Sequence, residues 1–351
     1  MAGLDSPVKG LIGPWGHQYM HQAVPGPKMG YMDEALLWWD HWLKGEDTGL
    51  MDEPANRVWV QDSVLPSNCH QERPGYWATE SAWPSSNIET VTLHLNDGTL
   101  DQAAETEACI SICSSQTTGQ CTPFFGSGGA GGPEDPPDQR PDDDASACFD
   151  GAILEETLTI LGAPVVNLDV ASDQENAFVC VRLNEVLASG ESLQVSYGIL
   201  NLTHRNSHEF PEALEPGERY SVRIQLNDIA HTFAPGSRIR IAVSTTFWPI
   251  VWPSPRPATL SLFTGECTLE LPVREPRPSD AKARPLAPPR HSRVHPTTIL
   301  VDAEPEFVDF KTDTKTGIQS FIYRTDSGTK QYDRHGWTTS VKANYQYHIH
   351  P

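Results

Sequence analysis

The sequence predicts a mainly β protein, a jelly-roll β-sandwich preceded by one short strand, a turn and a helix. Three observations carry that prediction. From about residue 54 onward, short runs of alternating apolar and polar residues are separated by turn pairs such as Asp97-Gly98, Ser189-Gly190, Pro216-Gly217 and Pro235-Gly236. No helical period interrupts those runs, which favours a sandwich over a sheet with crossover helices. Thirty prolines and 26 glycines in 351 residues suit many turns rather than long helices.

The elements follow in order. Residues 8–12, VKGLI, read as a short apolar strand entering the turn Gly13-Pro14-Trp15-Gly16-His17. A helix is predicted from about Gly30 to Lys44. Tyr31, Ala35, Trp38 and Trp42 recur on one stripe, and Met32, Leu36, Trp39 and Leu43 repeat it one residue later. Two adjacent stripes make a broad apolar face, so the helix is expected to be buried against something large, its tryptophans serving as core. Gly45 supplies its stop. Strands are expected at 57–62, 90–96, 164–171, 177–183, 192–203, 219–227 and 237–246. The Gly-, Pro- and Asp-rich stretch 126–147 is expected to be a flexible loop. A proline-rich stretch, 272–296, carries Arg274, Arg277, Arg284, Arg290 and Arg293 and reads as a linker. Segments 297–301, 306–312, 318–324 and 339–349 would form a small β-rich extension. The domain plan is therefore 1–55, 56–272, 273–296 and 297–351. The last segment still alternates at His350-Pro351, which reads as a C-terminus cut short.

Composition narrows the function. A formal charge of −21 argues against nucleic acid or an anionic membrane surface as partner. There is no run of about 18 apolar residues to span a bilayer. Nor is there a basic, then apolar, leader. A cytoplasmic location is expected, with free thiols. The seven cysteines are odd in number and cannot all pair within the chain. Cys109, Cys113, Cys121 and Cys148 cluster without a C-x-x-C pair, so neither a metal nor a cofactor is expected.

Chemistry enters at His17. A catalytic histidine must take a proton from a serine hydroxyl and return it to the leaving group, so it needs a fixed position. In α/β-hydrolases the triad runs Ser, Asp/Glu, His, and the histidine follows the last core strand and precedes a helix. VKGLI, His17 and the helix reproduce that order. The segments LIGPWGH, LLWWDHWLKGED, FDGAILEETLTILGAPVVNLDVAS, VRLNEVLASGES and LTHRNSHEFPEALEPGERYSVRIQLNDIAHTFAPGSRIRIAVSTTFWP, in that order, resemble the X-Pro dipeptidyl-peptidase/cocaine-esterase (CocE/NonD) hydrolases over roughly residues 4–272.

The resemblance implies that residues 1–55 are the C-terminal remnant of an α/β-hydrolase domain. A jelly-roll (galactose-binding-like) sandwich would then wall the active site, and His17 would be the triad base. Residues 298–349 resemble, more weakly, a C-terminal β-extension of larger members. It also implies substrates among X-Pro peptides, acyl esters and amino-acid esters. The departure lies in the nucleophile: no G-x-S-x-G occurs, and only sixteen residues precede His17. Asp5 is the only acidic residue before the histidine, and it reads as a loop residue. Met1 is then an internal methionine or a false start. The chain alone is expected to be inactive, with a small ester, amide or peptide substrate, and either a homo-oligomer or the missing hydrolase half as partner.

Other residues carry blander readings. His17 and His21 sit four apart, but Pro14, Gly16, Pro25 and Pro27 argue against the helix a shared metal would need. His348 and His350 share a strand face without a third ligand. His204, Arg205 and His208 read as sandwich packing. A rival reading makes the sandwich a non-catalytic carbohydrate-binding module, with Trp248, Trp252 and Phe263 stacking on sugar. A third is a structural fragment that folds only with its missing half.

Overall fold

Apolar residues from strands far apart in the hydrogen-bonding order meet in one main core, which makes the larger part of the molecule a β-sandwich. The computed structural model describes residues 6–121, 135–293 and 295–350, in two compact units, Met1–Pro289 and Arg290–Pro351. The first unit begins with β1 (Gly10–Ile12), α1 (Tyr31–Lys44), β2 (Asn56–Asp62), β3 (Gly75–Glu80) and β4 (Ile88–Leu95). Next come β5 (Thr99–Asp101), β6 (Cys109–Ile112), a single-turn α2 (Arg140–Asp143), β7 (Ala147–Gly151), β8 (Leu158–Gly162) and β9 (Val165–Ser172). It is completed by β10 (Phe178–Val186), β11 (Ser192–Asn201), β12 (Arg219–Gln225), β13 (Ile229–Phe233), β14 (Arg238–Ser244) and β15 (Leu260–Arg274).

Hydrogen bonding links these strands in the order β1-β2-β13-β8-β15-β4-β5-β7-β14-β10-β11, with β3, β6, β9 and β12 as branches. The path folds back on itself. Val179, Val181 and Leu183 of β10 and Ile241 and Val243 of β14 share one buried cluster with Val166, Leu168 and Val170 of β9 and Leu260, Leu262, Leu269 and Leu271 of β15. Each such side chain contributes roughly 1.5–3 kcal/mol on burial. Alternation supplies these residues, because every second side chain of a strand points to the same face.

β10 is buried along its whole length. Its inner face meets the core; on its outer face Phe178 and Cys180 pack on Phe247, and Arg182 and Asn184 bond residues 139–146 of the stretch expected to be a flexible loop. Residues 126–134 of that stretch fall outside the described residues, but 135–147 are ordered. The fully buried Arg182 donates to Asp143 at 3.0 Å, Gln139 at 2.9 Å and Ser146 at 3.0 Å. Asn184 donates to Asp143 at 3.0 Å, and the Cys121 N–H to Asp142 at 3.0 Å. The acidic run looked like solvated loop, yet two of its carboxylates, Asp142 and Asp143, are buried acceptors for these donors. All seven cysteines are outside disulfides. Burial pushes the Cys121, Cys148 and Cys180 thiols up to about 12, which keeps them neutral and unreactive.

The stretch 272–296 also differs from its expectation. β15 runs on to Arg274, and residues 275–289 strap the first unit instead of leaving it. Arg274, fully buried, donates to Glu80 at 2.6 Å and to Asp280 at 2.8 Å. Asp280 in turn accepts from the Thr79 N–H at 3.0 Å. Arg284 bridges Glu34 of α1 at 2.7 Å and Glu53 at 2.5 Å. Arg274 serves as a buried tie and Arg284 as a half-buried one, which composition could not distinguish from solvated linker charge.

A second buried tie joins the two layers: His231 of β13 lies 2.8 Å from Glu185 of β10, and the Ala234 N–H donates to the same carboxylate at 2.8 Å. Burial raises the Glu185 pKa, but the bonds and charge from His231, with those from Ala234 and Ser237, outweigh it and leave it below the ordinary glutamate value. A depressed carboxylate stabilises the fold above its unfolded pKa, and that stability is lost as pH falls through the lower folded value. Glu185→Gln is therefore expected to flatten the acid limb of the stability–pH curve, measured by urea unfolding between neutral pH and the onset of acid unfolding. An unchanged limb would remove this pair from the account.

The second unit is a four-stranded antiparallel sheet of β16 (Thr297–Val301), β17 (Glu304–Thr312), β18 (Gln319–Tyr332) and β19 (Trp337–Ile349). β18 is central, with β16 and β17 in succession along one side and β19 along the other. Phe310, Phe321 and Tyr347 sit in register across it, ring centroids 5.0 and 6.0 Å apart.

Candidate functional site

The turn that carries His17 is fastened to the sandwich by a row of indoles. Trp15 Nε1–H donates to the Pro27 carbonyl at 2.8 Å, and its ring lies 6.2 Å from Trp77 of β3. Trp77 meets Trp59 of β2 edge-on at 5.1 Å, and Trp59 Nε1–H donates to the Arg73 carbonyl at 3.1 Å. Gly13 is required beneath this row, because a Cβ there would fall 2.6 Å from the Trp15 ring. Further along, the Gly26 N–H donates to Gln71 at 2.8 Å and the Arg73 N–H to Gly26 at 3.0 Å. The loop from 13 to 30 is thus tied at several points, while His17 itself is exposed.

Tyr19, two residues on, stacks on Tyr31 at the start of α1 at 5.6 Å, so turn and helix share one surface. α1 ends as expected, with Gly45 left-handed at φ 72° and accepting no Cβ strain, and its N–H donating to His41. Asp33 and Glu34 in its first turn and Lys44 in its last suit the helix dipole. The expectation of burial does not hold: no residue of α1 is buried. Met32, Leu36, Trp39 and Leu43 are 58, 53, 52 and 75% exposed. Beside the Tyr19–Tyr31 stack they form an exposed apolar stripe of the kind that marks an interaction site. Periodicity identified the stripe; it could not say whether anything covers it.

β1 forms within the segment read as a strand, at Gly10–Ile12. It pairs in parallel with β2, Gly10 to Asn56 through Ile12 to Val58, along the part of that edge which β13 leaves open. Asp5 lies outside the described residues. His21 is 6.1 Å from Tyr19, ring to ring. The remaining sequence-picked residues lie elsewhere. His204 and His208 approach each other at 3.4 Å, Arg205 covers the Tyr220 ring at 4.3 Å, and His348 bonds Ser320 at 2.8 Å. Among the described residues no three His, Cys, Asp or Glu side chains converge to hold a metal, and no helix is long and apolar enough to cross a membrane.

The three aromatics of the sugar-binding reading do not make a platform. Trp248 is 3% exposed, Phe263 lies under the Arg219 guanidinium at 4.3 Å, and only Trp252, at 67%, is open. What sequence reasoning missed is the support of the helix. Lys9 reaches the carbonyls of Met51, Glu53 and Pro54, Arg284 holds Glu34, and the Gly30 N–H donates to Ala287 at 2.7 Å. The arginine spacing was visible, but nothing in it named the partners 231 and 250 residues away.

Residues 48–294 match the family model for the X-Pro dipeptidyl-peptidase C-terminal non-catalytic domain. The cocaine esterase of Rhodococcus sp. (strain MB1 Bresler) is 24% identical over 261 residues, 68% of this chain and 44% of that protein. Two solved structures share the fold. A CocE/NonD family hydrolase from Staphylococcus aureus superposes with a TM-score of 0.54 at 17% identity, over 69% of this chain and 46% of that one. An aminopeptidase from a marine sediment Thaumarchaeota archaeon gives 0.60 at 19%, over 76% and 49%. The chain spans less than half the length of the curated relatives it matches.

Proposed function

The chain belongs to the family of the X-Pro dipeptidyl-peptidase C-terminal non-catalytic domain, and from that premise we propose that it is the sandwich-bearing part of a CocE/NonD-type serine hydrolase, with His17 completing a triad whose serine and acid come from other sequence. In the reaction so proposed, the serine hydroxyl attacks an acyl carbon and His17 takes its proton. The imidazolium then protonates the departing alcohol or amine, and water repeats the cycle on the acyl-enzyme. Substrates would be acyl esters, amino-acid esters or X-Pro peptides, in keeping with an esterase and an aminopeptidase among the proteins it resembles.

The observation that carries this reading is one surface holding both an anchored, exposed His17 turn and an uncovered apolar stripe. A proton shuttle needs a fixed imidazole, and a catalytic layer needs somewhere to dock; the anchored turn and the exposed stripe support the reading on both counts. Ile12 and Gly13 also wall a cavity of about 310 Å³ with Trp59, Trp83 and Leu161, an apolar recess beside the turn suited to an acyl group.

Two outcomes test it. The isolated chain is expected to remain unlabelled by a fluorophosphonate probe, since it has no serine elbow; stoichiometric labelling at any of its serines would contradict that. Leu36→Lys with Trp39→Lys is expected to lower binding of an apolar dye and to abolish association with the serine-bearing segment, leaving the urea midpoint unchanged. A carbohydrate-binding reading would instead require glycan binding that depends on Trp252.

A further inference from the structure

β19 has a single neighbour, β18, so its outer edge runs for thirteen residues with no strand beside it among the described residues. Such edges usually carry charge, proline or a bulge that prevents pairing with another chain. The sequence of β19, WTTSVKANYQYHI, contains one charge, Lys342, and its ammonium is held 2.8 Å from Asp326 of β18. The one irregularity in the pair falls between Asp326 and Thr329, on β18. β19 is left regular and unguarded.

Its two faces separate cleanly. Trp337, Thr339, Val341, Ala343, Tyr345, Tyr347 and Ile349 lie on one, and only polar residues, 338 to 348 at even numbers, on the other. The Val341 N–H turns inward to Ser327 Oγ at 2.9 Å. Because backbone groups alternate sides along an antiparallel strand, the even-numbered residues turn theirs outward.

We propose that β19 pairs antiparallel with β19 of a second copy of this chain, about a two-fold axis at Ala343. Ala343 is the midpoint of the strand, so this register alone pairs all of Trp337–Ile349 with its counterpart. It sets Val341 against the second copy's Tyr345 and Thr339 against its Tyr347, apolar face continuing into apolar face. Lys342 falls opposite Asn344; a register centred one residue earlier would set the two Lys342 ammonium groups against each other. The small Ala343 side chain meets its own copy where a larger one would crowd the axis. The interface is isologous and closes at two copies.

The full chain is expected to run in light scattering at twice its 38.7 kDa mass. Asn344→Pro removes an outward N–H and leaves the inward ladder to β18 intact, a placement proline tolerates on an edge. This variant is expected to run at the single-chain mass with its unfolding midpoint kept. Ala343→Cys is expected to form an interchain disulfide under mild oxidation, found by mass spectrometry in the residue-343 peptide, since opposed residues there sit about 4.5 Å apart. Ser340→Cys is the control: its two copies would lie roughly 20 Å apart, six residues along the strand. A native chain of single mass, a dimer that persists in Asn344→Pro, or Ser340→Cys linking as readily as Ala343→Cys would each overturn the proposal.

Discussion

In the proposed hydrolase, assembled with its serine-bearing segment, His17→Ala is expected to lower kcat by about 10⁴- to 10⁶-fold while leaving KM within a few-fold, because the proposed base would act on the transition state rather than on bound substrate. The fold should not notice. His17 is exposed, and Trp15, Gly26 and Arg73 make bonds of their own that hold its turn. Steady-state hydrolysis of an activated acyl ester reads the effect, with a urea midpoint as the control. A loss of ten-fold or less would mean that another group carries the proton.

Arg274→Met is expected to have the largest effect on stability, about 3–5 kcal/mol, the usual cost of leaving buried charge without its partner. The guanidinium is fully buried between Glu80 and Asp280, which are 2% and 9% exposed. Methionine would leave Asp280 with its bonds from Thr79 and Arg277 but without its counter-charge, and Glu80 with Arg277 alone as ion partner. The midpoint of urea unfolding should fall with its slope unchanged. Lys44→Ala, which removes a solvent-facing pair with Asp40, should leave it where it is. Equal effects from the two variants would refute the distinction. Because Asp280 also anchors the strap that holds Arg284 to Glu34, Arg274→Met should loosen α1 as well, seen as faster amide exchange over Tyr31–Lys44.

How much of this could be read from sequence depended on what each pattern encodes. Alternation marked β9, β10, β12, β14 and β19, because their inner and outer faces differ in polarity. β8, LTILG, and β13, IAHTF, escaped notice because short apolar runs carry no period. β15 was lost for another reason: it passes through Pro272 and bonds to β4, β6, β8 and β9 in turn, and pairing over such distances leaves no local trace. Charge was read least well. Asp142, Asp143, Arg274 and Arg284 sit in stretches whose composition says loop or linker, and each finds its partner only when the chain is folded. The helix shows the same limit from the apolar side: its stripe was legible at Met32, Leu36, Trp39 and Leu43, and its exposure was not.

The central claim is that this chain lends an imidazole to a serine held elsewhere. Mixing the chain with the serine-bearing segment and following fluorophosphonate labelling of that serine tests it most directly. The native chain should accelerate labelling, and a His17→Asn chain should bind the segment equally well yet leave the serine as slow as in the segment alone. Acceleration of the same size by both chains would contradict the assignment.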